Sequence, residues 1–489
     1  MNRVQSYFFE LVIVRLSNIF WGTMMAKISQ SKKAKTNVDE WYRAEFENAI
    51  FGDKRLSDRL IKVAKDLSEH PSMPINQASG DWYSTKGAYR FFDNENVNPK
   101  AILEPHFENT MKRMMDHKVV LSIQDTTTFN YSSHEALKLG PIGKEGTNGI
   151  LQHNTLAVSG DGLPLGLLDQ ITWIRPPEKE SKTNKKLSLE EREIIRWIKS
   201  LENSVERTQH HSNVVSVNDR ESDFYEFYDR AESLNAQYLI RLKHNREIEE
   251  SSKGAKSYLQ EQPIVTTYDI CVPRRTGDHS ERTATVELRY APITVHAPED
   301  IEESVVHDKI EMYGIHVREI NPPEGIEAIE WFLVSNVAVE NIKNAIERVR
   351  WYLLRWTIEI YHKSEKSCCS SEECRLETDE RMLNFLAVNS VIAWRVLFVT
   401  YVARQQPEAS AEVILSPMEI KVLEAANNRK LPKPIKIKTA KQAVGALGKL
   451  GGHMGRKNDK EPGIITVCRG MMRLNDFMYG HSLIPQLRA

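Results

Sequence analysis

Two short apolar segments that each end in aspartate constrain the fold of this chain most. In residues 118–125, apolar side chains alternate along one strand face and Asp125 closes the row. Residues 213–219 form a second apolar segment, which ends at Asp219. Helical patterns lie between and after the two segments, so the sequence predicts an α/β fold with a carboxylate at the end of each strand.

A third carboxylate lies on a predicted helix in residues 352–366, a segment without glycine or proline. At about 100° per residue, four polar side chains fall within roughly one sixth of the helix circumference. They are Tyr352, Arg355, Glu359 and Lys366, while Leu353, Trp356 and Ile360 gather on a side that can pack inward. Phosphate chemistry uses such a polar face, because a carboxylate holds a metal ion and the cations bind phosphate oxygens.

Asp125, Asp219 and Glu359 are therefore candidate catalytic residues and metal ligands. Two strand-end aspartates and a helical glutamate can converge on a pair of divalent ions about 3.5–4 Å apart. Hard oxygen ligands with open positions suit Mg²⁺, with Mn²⁺ as the alternative, so we expect two such ions in the active site. Each residue alone also has an ordinary explanation: Asp125 as a turn cap, Asp219 as a helix start, and Glu359 as a solvated side chain.

Composition and charge narrow the class of protein. The 489 residues carry a formal net charge of −1, so any nucleic-acid surface has to be a local basic patch. The five cysteines suggest no disulfide framework, which favours a reducing cytoplasm. Residues 1–24 are apolar in part, but no run reaches the roughly 18 residues that span a bilayer, and we expect no membrane partner. A functional extension and an upstream start, with Met25 as the alternative start, both fit this segment.

The pattern turns to β-strands between residues 236 and 339. Hydrophilic, turn-forming breaks separate the apolar segments. The predicted strands are residues 238–243, 264–272, 284–290, 316–320 and 331–335. Helical patterns return at residue 341, so this block predicts a β insertion within the α/β fold.

These motifs resemble the bacterial insertion-sequence transposases of the DDE class. The spacing Tyr-x2-Arg-x3-Glu-x6-Lys at Tyr352 matches the branch typified by the cut-and-paste transposase of the kanamycin-resistance composite transposon. Asp125 lies in Ile-Gln-Asp-Thr-Thr and Asp219 in Asn-Asp-Arg-Glu-Ser-Asp, as in the first and second family aspartates. Segments beginning at Gly87, Ile320 and Leu450 match the family's DNA-binding region, the end of its β insertion and its dimerisation region.

The resemblance implies a ribonuclease-H-like catalytic core that is interrupted by a β-strand insertion and flanked by helical domains. The implied division is an extension of doubtful role at 1–24, a DNA-end-binding domain at 25–100, a catalytic core at 101–235 and 340–400, a β insertion at 236–339, and a dimerisation domain at 401–489. The implied reaction cuts transposon ends through a hairpin intermediate and joins the 3′ ends to target DNA. The implied partners are double-stranded transposon ends, target DNA and a second copy of the chain, in the cytoplasm and on the nucleoid when bound to DNA.

The resemblance also implies which residues contact DNA. They are Arg90, Arg241, Lys243, Trp331, Tyr352, Arg355 and Lys366. Trp331 matches an aromatic residue that stacks on a flipped base, a contact worth about 1–3 kcal/mol. The alternatives are a core position for Trp331, a buried ion pair for Arg355, and ordinary exposed strand positions for Arg241 and Lys243.

Two other functions stay open from the sequence. The first is a catalytically silent DNA-binding regulator of transposition, and the second is a nuclease that does not transfer strands. A silent relative is free to lose a carboxylate, whereas Asp125, Asp219 and Glu359 are all present. Trp331 and the dimerisation-like C-terminal region argue against a simple nuclease.

Overall fold

The computed structural model describes residues 41–134, 136–143, 146–176, 188–211, 213–272, 282–299, 301, 305–429, 434–456 and 459–488. The interpretation of residues 1–24, including the alternative start at Met25, lies outside these residues.

Helices build the first part of the described chain. They are α1 (Trp41–Phe46), α2 (Lys54–Glu69), α3 (Ile75–Ser79), α4 (Trp82–Phe92) and α5 (Pro99–Met114). The side chains of Asp53, Asp81 and Asn98 cap α2, α4 and α5 by accepting backbone N–H bonds, which fixes where these helices begin. These helices agree with the helical N-terminal domain that the resemblance implies.

Nine described strands form one mixed sheet. They are β1 (Val120–Asn130), β2 (Gly149–Ser159), β3 (Pro164–Trp173), β4 (Val214–Asn218), β5 (Gln237–Arg241), β6 (Thr266–Val272), β7 (Arg282–His296), β8 (Lys309–Glu319) and β9 (Glu330–Ser335). Their order is β3-β2-β1-β4-β5-β9-β8-β7-β6. The sequence therefore predicted an α/β fold correctly, and it located a strand in each of the five β segments between residues 236 and 339.

Three neighbouring strands in the middle of the sheet run parallel. β1 pairs with β4 and β4 with β5 in parallel, whereas every other pairing is antiparallel. Helices α6 (Ile195–Thr208) and α7 (Tyr225–Ser233) provide the crossovers between these parallel strands. The β insertion does not form a sheet of its own, because β9 pairs with β5 and so extends the central sheet. A short helix, α8 (Ala255–Glu261), interrupts the insertion and was not predicted.

The prediction of one continuous helix through residues 352–366 is wrong. α9 (Ile342–Leu354) ends before Arg355, α10 covers Trp356–Lys363, and a π-helical turn follows at Ser364–Cys368. Arg355 separates the two helices with a helical backbone conformation (φ −53°, ψ −33°) but without continuing the hydrogen-bond ladder. A helical wheel requires an unbroken 3.6-residue period, and neither this break nor the π turn keeps that period.

Helices also form the last part of the described chain: α11 (Asp379–Gln405), α12 (Pro417–Asn428), α13 (Ala440–Leu450) and α14 (Ile464–Arg488). α11 packs against α5 and β3 and is the central helix of the molecule. It is long and apolar enough to cross a membrane, with a mean hydropathy of 1.7 in its most apolar window, but 89% of that window is buried inside the protein. This burial identifies α11 as a core helix.

The expectation that the cysteines form no disulfide is wrong for one pair. Cys368 and Cys468 are bonded in the structure, across 100 residues of sequence. They meet because α14 packs against the π-helical turn at Ser364–Cys368. Such a long-range contact leaves no spacing signal in the sequence, since neither cysteine has a bonding partner nearby in the chain.

Candidate functional site

The register of two parallel strands brings the two aspartates together. β1 and β4 pair so that Ile123 lies opposite Val217, and Asp125 and Asp219 each follow two residues later. Asp219 comes directly after β4, as predicted, and caps a short 3-10 turn. The prediction that Asp125 ends its strand is wrong, because β1 continues to Asn130 through its antiparallel pairing with β2. Only the parallel part of β1 ends near Asp125.

Arg355 contacts two of the three carboxylates. Its Nη2 donates a hydrogen bond of 2.6 Å to Oε1 of Glu359, one helical turn away. Its Nη1 lies 3.7 Å from Oδ2 of Asp125. α10 packs against β1, which places Glu359 beside the strand that carries Asp125. The side chain of Arg355 is 13% exposed, so the guanidinium is largely shielded from water.

The ionisation of these groups reflects their crowding. Burial raises the pKa of Asp125 to about 7, Arg355 opposes this rise, and the negative charges of Asp219 and Glu359 add to it. Burial works against the charge of Arg355, but Tyr352 and the three carboxylates outweigh it and hold the pKa of Arg355 above its ordinary value. Asp125, Asp219 and Glu359 thus form one electrostatic unit around a guanidinium.

The donor set has the chemistry of a site for a hard divalent cation. Carboxylate oxygens suit Mg²⁺ or Mn²⁺, and a bound cation would offset the burial that raises the pKa of Asp125 and the repulsion from Asp219 and Glu359 that adds to it. Within the described ranges, no three acidic, histidine or cysteine side chains stand close enough to hold one ion as they are placed. Arg355 contacts two of the three carboxylates and occupies the position of a neutralising cation.

Two aromatic side chains connect the β insertion to this cluster. The rings of Trp331, on β9, and Tyr352, on α9, make an edge contact with centroids 5.4 Å apart and an interplanar angle of 64°. The guanidinium carbon of Arg355 lies 6.0 Å from the Tyr352 ring centroid. Trp331 is half-buried and Tyr352 is buried. Trp331 packs against the main hydrophobic core, to which Tyr352 belongs, so the core alternative for Trp331 stays open beside the predicted stacking role.

Lys366 approaches the cluster from the π-helical turn. Its ammonium lies 5.9 Å from the ring centroid of Phe129 on β1. Burial lowers the pKa of Lys366, whereas the charges of Glu372, Glu365 and Asp125 oppose that shift. The contact with Phe129 places Lys366 beside the strand that carries Asp125, although the helix is not continuous.

A buried polar layer behind the cluster was not predicted. Asn154 is the partner of Asp125 across the β1–β2 pairing, and its Nδ2 lies 3.2 Å from Nε2 of His362. Burial lowers the pKa of His362 to about 3, so the ring is neutral. The pattern of polar residues Gln152 and Asn154 on a fully buried strand was the available signal, since buried polar side chains need partners.

A basic cluster lies where the insertion leaves the core. Arg241 is half-buried and donates to the backbone oxygen of Glu330 at 3.2 Å, and Lys243 is exposed two residues later. Lys256, on α8, was missed by the sequence, and its ammonium donates to the backbone oxygen of Lys243 at 2.8 Å. Burial lowers the pKa of Lys256, Asp223 opposes this, and Arg241 and Arg220 add to it. This basic cluster therefore consists of four cations: Arg220, Arg241, Lys243 and Lys256.

Arg90 lies apart from the cluster, on the exposed side of α4. This helix also exposes Trp82, Tyr83 and Tyr89, with 77%, 76% and 42% of their surface open to solvent. The guanidinium of Arg59 lies 5.5 Å from the ring centroid of Tyr83. An exposed surface that combines cations with aromatic rings has the character of a nucleic-acid contact.

Two family models match this chain, one on each side of the carboxylate cluster. The model described as "Transposase DNA-binding" matches residues 38–97, which include Arg90 and the whole of α4. The model described as "Transposase Tn5 dimerisation domain" matches residues 391–484, which include most of α11 and Cys468. The candidate residues from Asp125 to Lys366 lie between the two matches.

Proposed function

Since its matches at both ends make the chain a Tn5-like transposase with DNA-binding and dimerisation domains, we propose that Asp125, Asp219 and Glu359 are its catalytic residues. The proposed reaction cuts the ends of a transposable element and joins the freed 3′ ends to target DNA. The observation that carries this proposal is the contact of Arg355 with Asp125, on β1, and with Glu359, on α10, while the charge of Asp219 acts on the same guanidinium from the loop after β4.

Metal ions belong to the proposal. Asp125, Asp219 and Glu359 would hold two divalent ions, Mg²⁺ or Mn²⁺, which supply the positive charge that activates an attacking oxygen and stabilises a leaving one. The two aspartates suit this role because backbone N–H groups fix one oxygen of each, at 2.9 Å from Thr126 to Asp125 and 2.8 Å from Glu221 to Asp219. Oδ2 of Asp125 lies 3.7 Å from Nη1 of Arg355, so a bound ion would take over the position of that guanidinium.

Tyr352, Arg355 and Lys366 would hold phosphates of the cut strand. Arg355 offers a planar, charged donor set that fits two phosphate oxygens, and its present carboxylate partners show the same preference for anions. Lys366, as a half-buried ammonium, provides a point charge beside Asp125. Both cations would then bind DNA when the carboxylates bind ions.

Trp331 supports a hairpin route for end cleavage. In that route the freed 3′-hydroxyl attacks the opposite strand, and the sharp bend in the hairpin pushes one base out of the stack. The edge contact between Trp331 and Tyr352 places an aromatic surface next to the residues that would hold the cut strand. We propose that Trp331 stacks on the extruded base.

The sheet order agrees with a ribonuclease-H-like core. β3-β2-β1-β4-β5 contains an antiparallel meander followed by two strands parallel to β1, and the two aspartates belong to the neighbours β1 and β4. The domain division implied above is retained except at β5, which that division assigns to the insertion but which forms the fifth strand of this core order, and the other insertion strands extend the sheet. The enzyme would act in the cytoplasm as a DNA-bound homodimer, with Arg90 at the element's ends and Arg241 and Lys243 along the DNA.

The experiment is a cleavage assay with Glu359→Gln on DNA that carries the terminal sequence of the chain's own element. Wild type should nick the end and form a hairpin with Mg²⁺ but not with EDTA, and Glu359→Gln should bind the end without cutting it. Glu377→Gln, an exposed carboxylate outside the cluster, is the matched control and should cut normally. Normal cleavage by Glu359→Gln would refute the assignment, and binding without cleavage by wild type would favour the regulator.

A further inference from the structure

Each candidate aspartate is held by the backbone of a neighbouring residue. The N–H of Thr126 donates to Oδ1 of Asp125, and the N–H of Glu221 donates to Oδ1 of Asp219. The orientation of the two carboxylates therefore depends on where these two backbone segments lie relative to each other. Parallel pairing between β1 and β4 extends only from Val120 to Ile123 on the β1 side, so the ladder does not reach the residues that fix the carboxylates.

The side chain of Arg196 connects these two segments. Its Nε donates to Oγ1 of Thr126 at 3.0 Å, and its Nη2 donates to Oε2 of Glu221 at 2.9 Å. Its Nη1 donates to the backbone oxygen of Glu193 at 2.8 Å, which ties the guanidinium to the start of α6. The guanidinium of Arg196 thus links Thr126, which directly follows Asp125, to Glu221, which lies two residues after Asp219.

The surroundings restrict Arg196 to this position. Its side chain is 12% exposed, and its guanidinium carbon lies 5.4 Å from the ring centroid of Trp173 and 5.9 Å from that of Trp197. Burying a guanidinium is costly unless its donors are satisfied, and all three nitrogens of Arg196 have acceptors here. The Glu221 side chain is 60% exposed, so the restriction comes from the Arg196 end, where the guanidinium is buried and each of its nitrogens has an acceptor.

A histidine fixes the hydroxyl that Arg196 uses. Nε2 of His153 lies 3.2 Å from Oε1 of Gln124, which can only accept, so the proton of the neutral ring is on Nε2. Nδ1 of His153 then accepts the hydroxyl proton of Thr126 at 2.9 Å. The Thr126 oxygen is left to accept from Arg196. In this series of hydrogen bonds, His153 donates to Gln124, Thr126 donates to His153, and Arg196 donates to Thr126.

We propose that Arg196 is a positioning residue that sets the relative placement of Asp125 and Asp219 by bridging Thr126 and Glu221. This inference rests on the proposed function of the two aspartates. Arg196 would touch neither DNA nor the reacting atoms, and it would act only through the two backbone segments. Its loss would weaken divalent-ion binding and slow cleavage, while binding of end DNA without a divalent ion would stay the same.

The test compares Arg196→Ala, Thr126→Val and the double variant with Lys199→Ala, which removes an exposed cation from the same helix. Three quantities are measured for each: the dissociation constant for end DNA in EDTA, the Mg²⁺ concentration that gives half-maximal cleavage, and the rise in melting temperature on adding Mn²⁺ without DNA. Arg196→Ala should reduce cleavage about 10–100-fold, the range found for residues that orient metal ligands. It should raise the Mg²⁺ requirement and reduce the Mn²⁺-dependent rise, with end binding within about twofold of wild type.

Thr126→Val keeps the backbone N–H and removes only the hydroxyl, so it should show a smaller change in the same direction. The double variant should cost less than the two single effects multiplied, because both changes break one bridge. Lys199→Ala should match wild type. If Arg196→Ala does not fold, Thr126→Val and Arg196→Lys give the same comparison.

Weaker end binding by Arg196→Ala at an unchanged Mg²⁺ requirement would make Arg196 a phosphate contact and overturn the proposal. Unchanged cleavage and unchanged Mn²⁺ response would overturn it as well. Failure of wild type and Lys199→Ala to cleave would count against the proposed function instead. The Mn²⁺-dependent melting temperature still tests the bridge in that case, because it requires no reaction.

Discussion

The two sides of the carboxylate cluster are held in place by different means. On the strand side, Asp125 and Asp219 follow a common parallel register, and hydrogen bonds to neighbouring backbone fix each of them. On the helix side, Glu359 belongs to a short helix that follows a break at Arg355 and runs into a π-helical turn. The disulfide between Cys368, at the end of the π-helical turn, and Cys468, on α14, links the helix side to a distant part of the sequence.

This difference concerns which part of the fold positions each carboxylate. The sheet provides two carboxylates whose separation is set by backbone geometry, whereas the third comes from a segment linked to the helices of the dimerisation match at residues 391–484. A π turn at such a place is common near functional sites, because it shifts the face that a helix presents. The strand side thus depends on local backbone geometry, whereas the helix side depends on contacts with α14, far away in the sequence.

The largest expected effect on stability comes from removing the disulfide between Cys368 and Cys468, which lies on the helix side. Cys468→Ser should lower the free energy of unfolding by about 2–4 kcal/mol in oxidising buffer, because the bond closes a long loop. Urea denaturation with and without dithiothreitol measures this. Wild type should lose the same amount in dithiothreitol, and Cys468→Ser should not respond to it. Cys271→Ser is the control and should keep the response, and a wild type indifferent to dithiothreitol would contradict the bond.

On the strand side, removing the negative charge of Asp125 should raise the free energy of unfolding instead of lowering it. Asp125→Asn should stabilise the protein without divalent ions by about 1–3 kcal/mol above pH 7, because burial raises the pKa of Asp125 to about 7 from an ordinary value near 4. A raised carboxyl pKa means that folding favours the protonated form. The loss of folding stability that comes from ionising Asp125 is therefore absent below about pH 4, grows between pH 4 and 7, and is complete above pH 7.

Unfolding of wild type and Asp125→Asn at pH 4, 6 and 8 measures this difference. Asp161→Asn, an aspartate with a 73% exposed side chain, is the control and should give no such pH dependence. A destabilised Asp125→Asn at pH 8 would show that the attraction to Arg355 outweighs burial.

Trp331 tests the connection from the insertion to the helix side. Trp331→Ala should reduce hairpin formation by about 1–3 kcal/mol of stacking free energy, whereas Trp331→Phe keeps a ring and should lose less. The first nick precedes base extrusion and should change little. Quantifying nicked and hairpin products on a denaturing gel separates the two steps. Equal loss of both steps would make Trp331 a structural partner of Tyr352 and nothing more.

The smallest expected effect concerns the basic cluster at the insertion. Lys256→Ala should reduce the slope of log affinity for end DNA against log salt concentration by about one, if Lys256 neutralises one phosphate. Lys253→Ala removes an exposed lysine that is paired with Glu261 and should leave the slope nearer to wild type. Binding measured at four or more salt concentrations gives both slopes. An unchanged slope for Lys256→Ala would limit its role to holding the Lys243 backbone.

The sequence could predict the elements of this site but not all of its geometry. Periodicity predicted β4 and the insertion strands, because a period of two is a local property of the chain. It could not predict that β1 continues past Asp125, since the antiparallel partner strand decides that extension. Helical spacing placed Arg355 beside Glu359 correctly, while the break at Arg355 and the π turn depend on tertiary packing.

Two features of the site were beyond the reach of sequence reasoning. Arg196 lies on a helix 70 residues after Thr126, and only the folded sheet brings the two together. The bond between Cys368 and Cys468 joins segments that are 100 residues apart. Both are long-range contacts, and no local spacing in the sequence encodes which distant segment such a residue meets.

The most direct test of the central claim, that Asp125, Asp219 and Glu359 form one cation site, is the change in melting temperature on titrating Mg²⁺ into the protein without DNA. The account predicts a rise for wild type and for the control Glu377→Gln, since a ligand that binds only the folded state stabilises it. Asp125→Asn, Asp219→Asn and Glu359→Gln should each lose most of that rise. If all three variants respond to Mg²⁺ as wild type does, the three carboxylates do not form a cation site and the account is wrong.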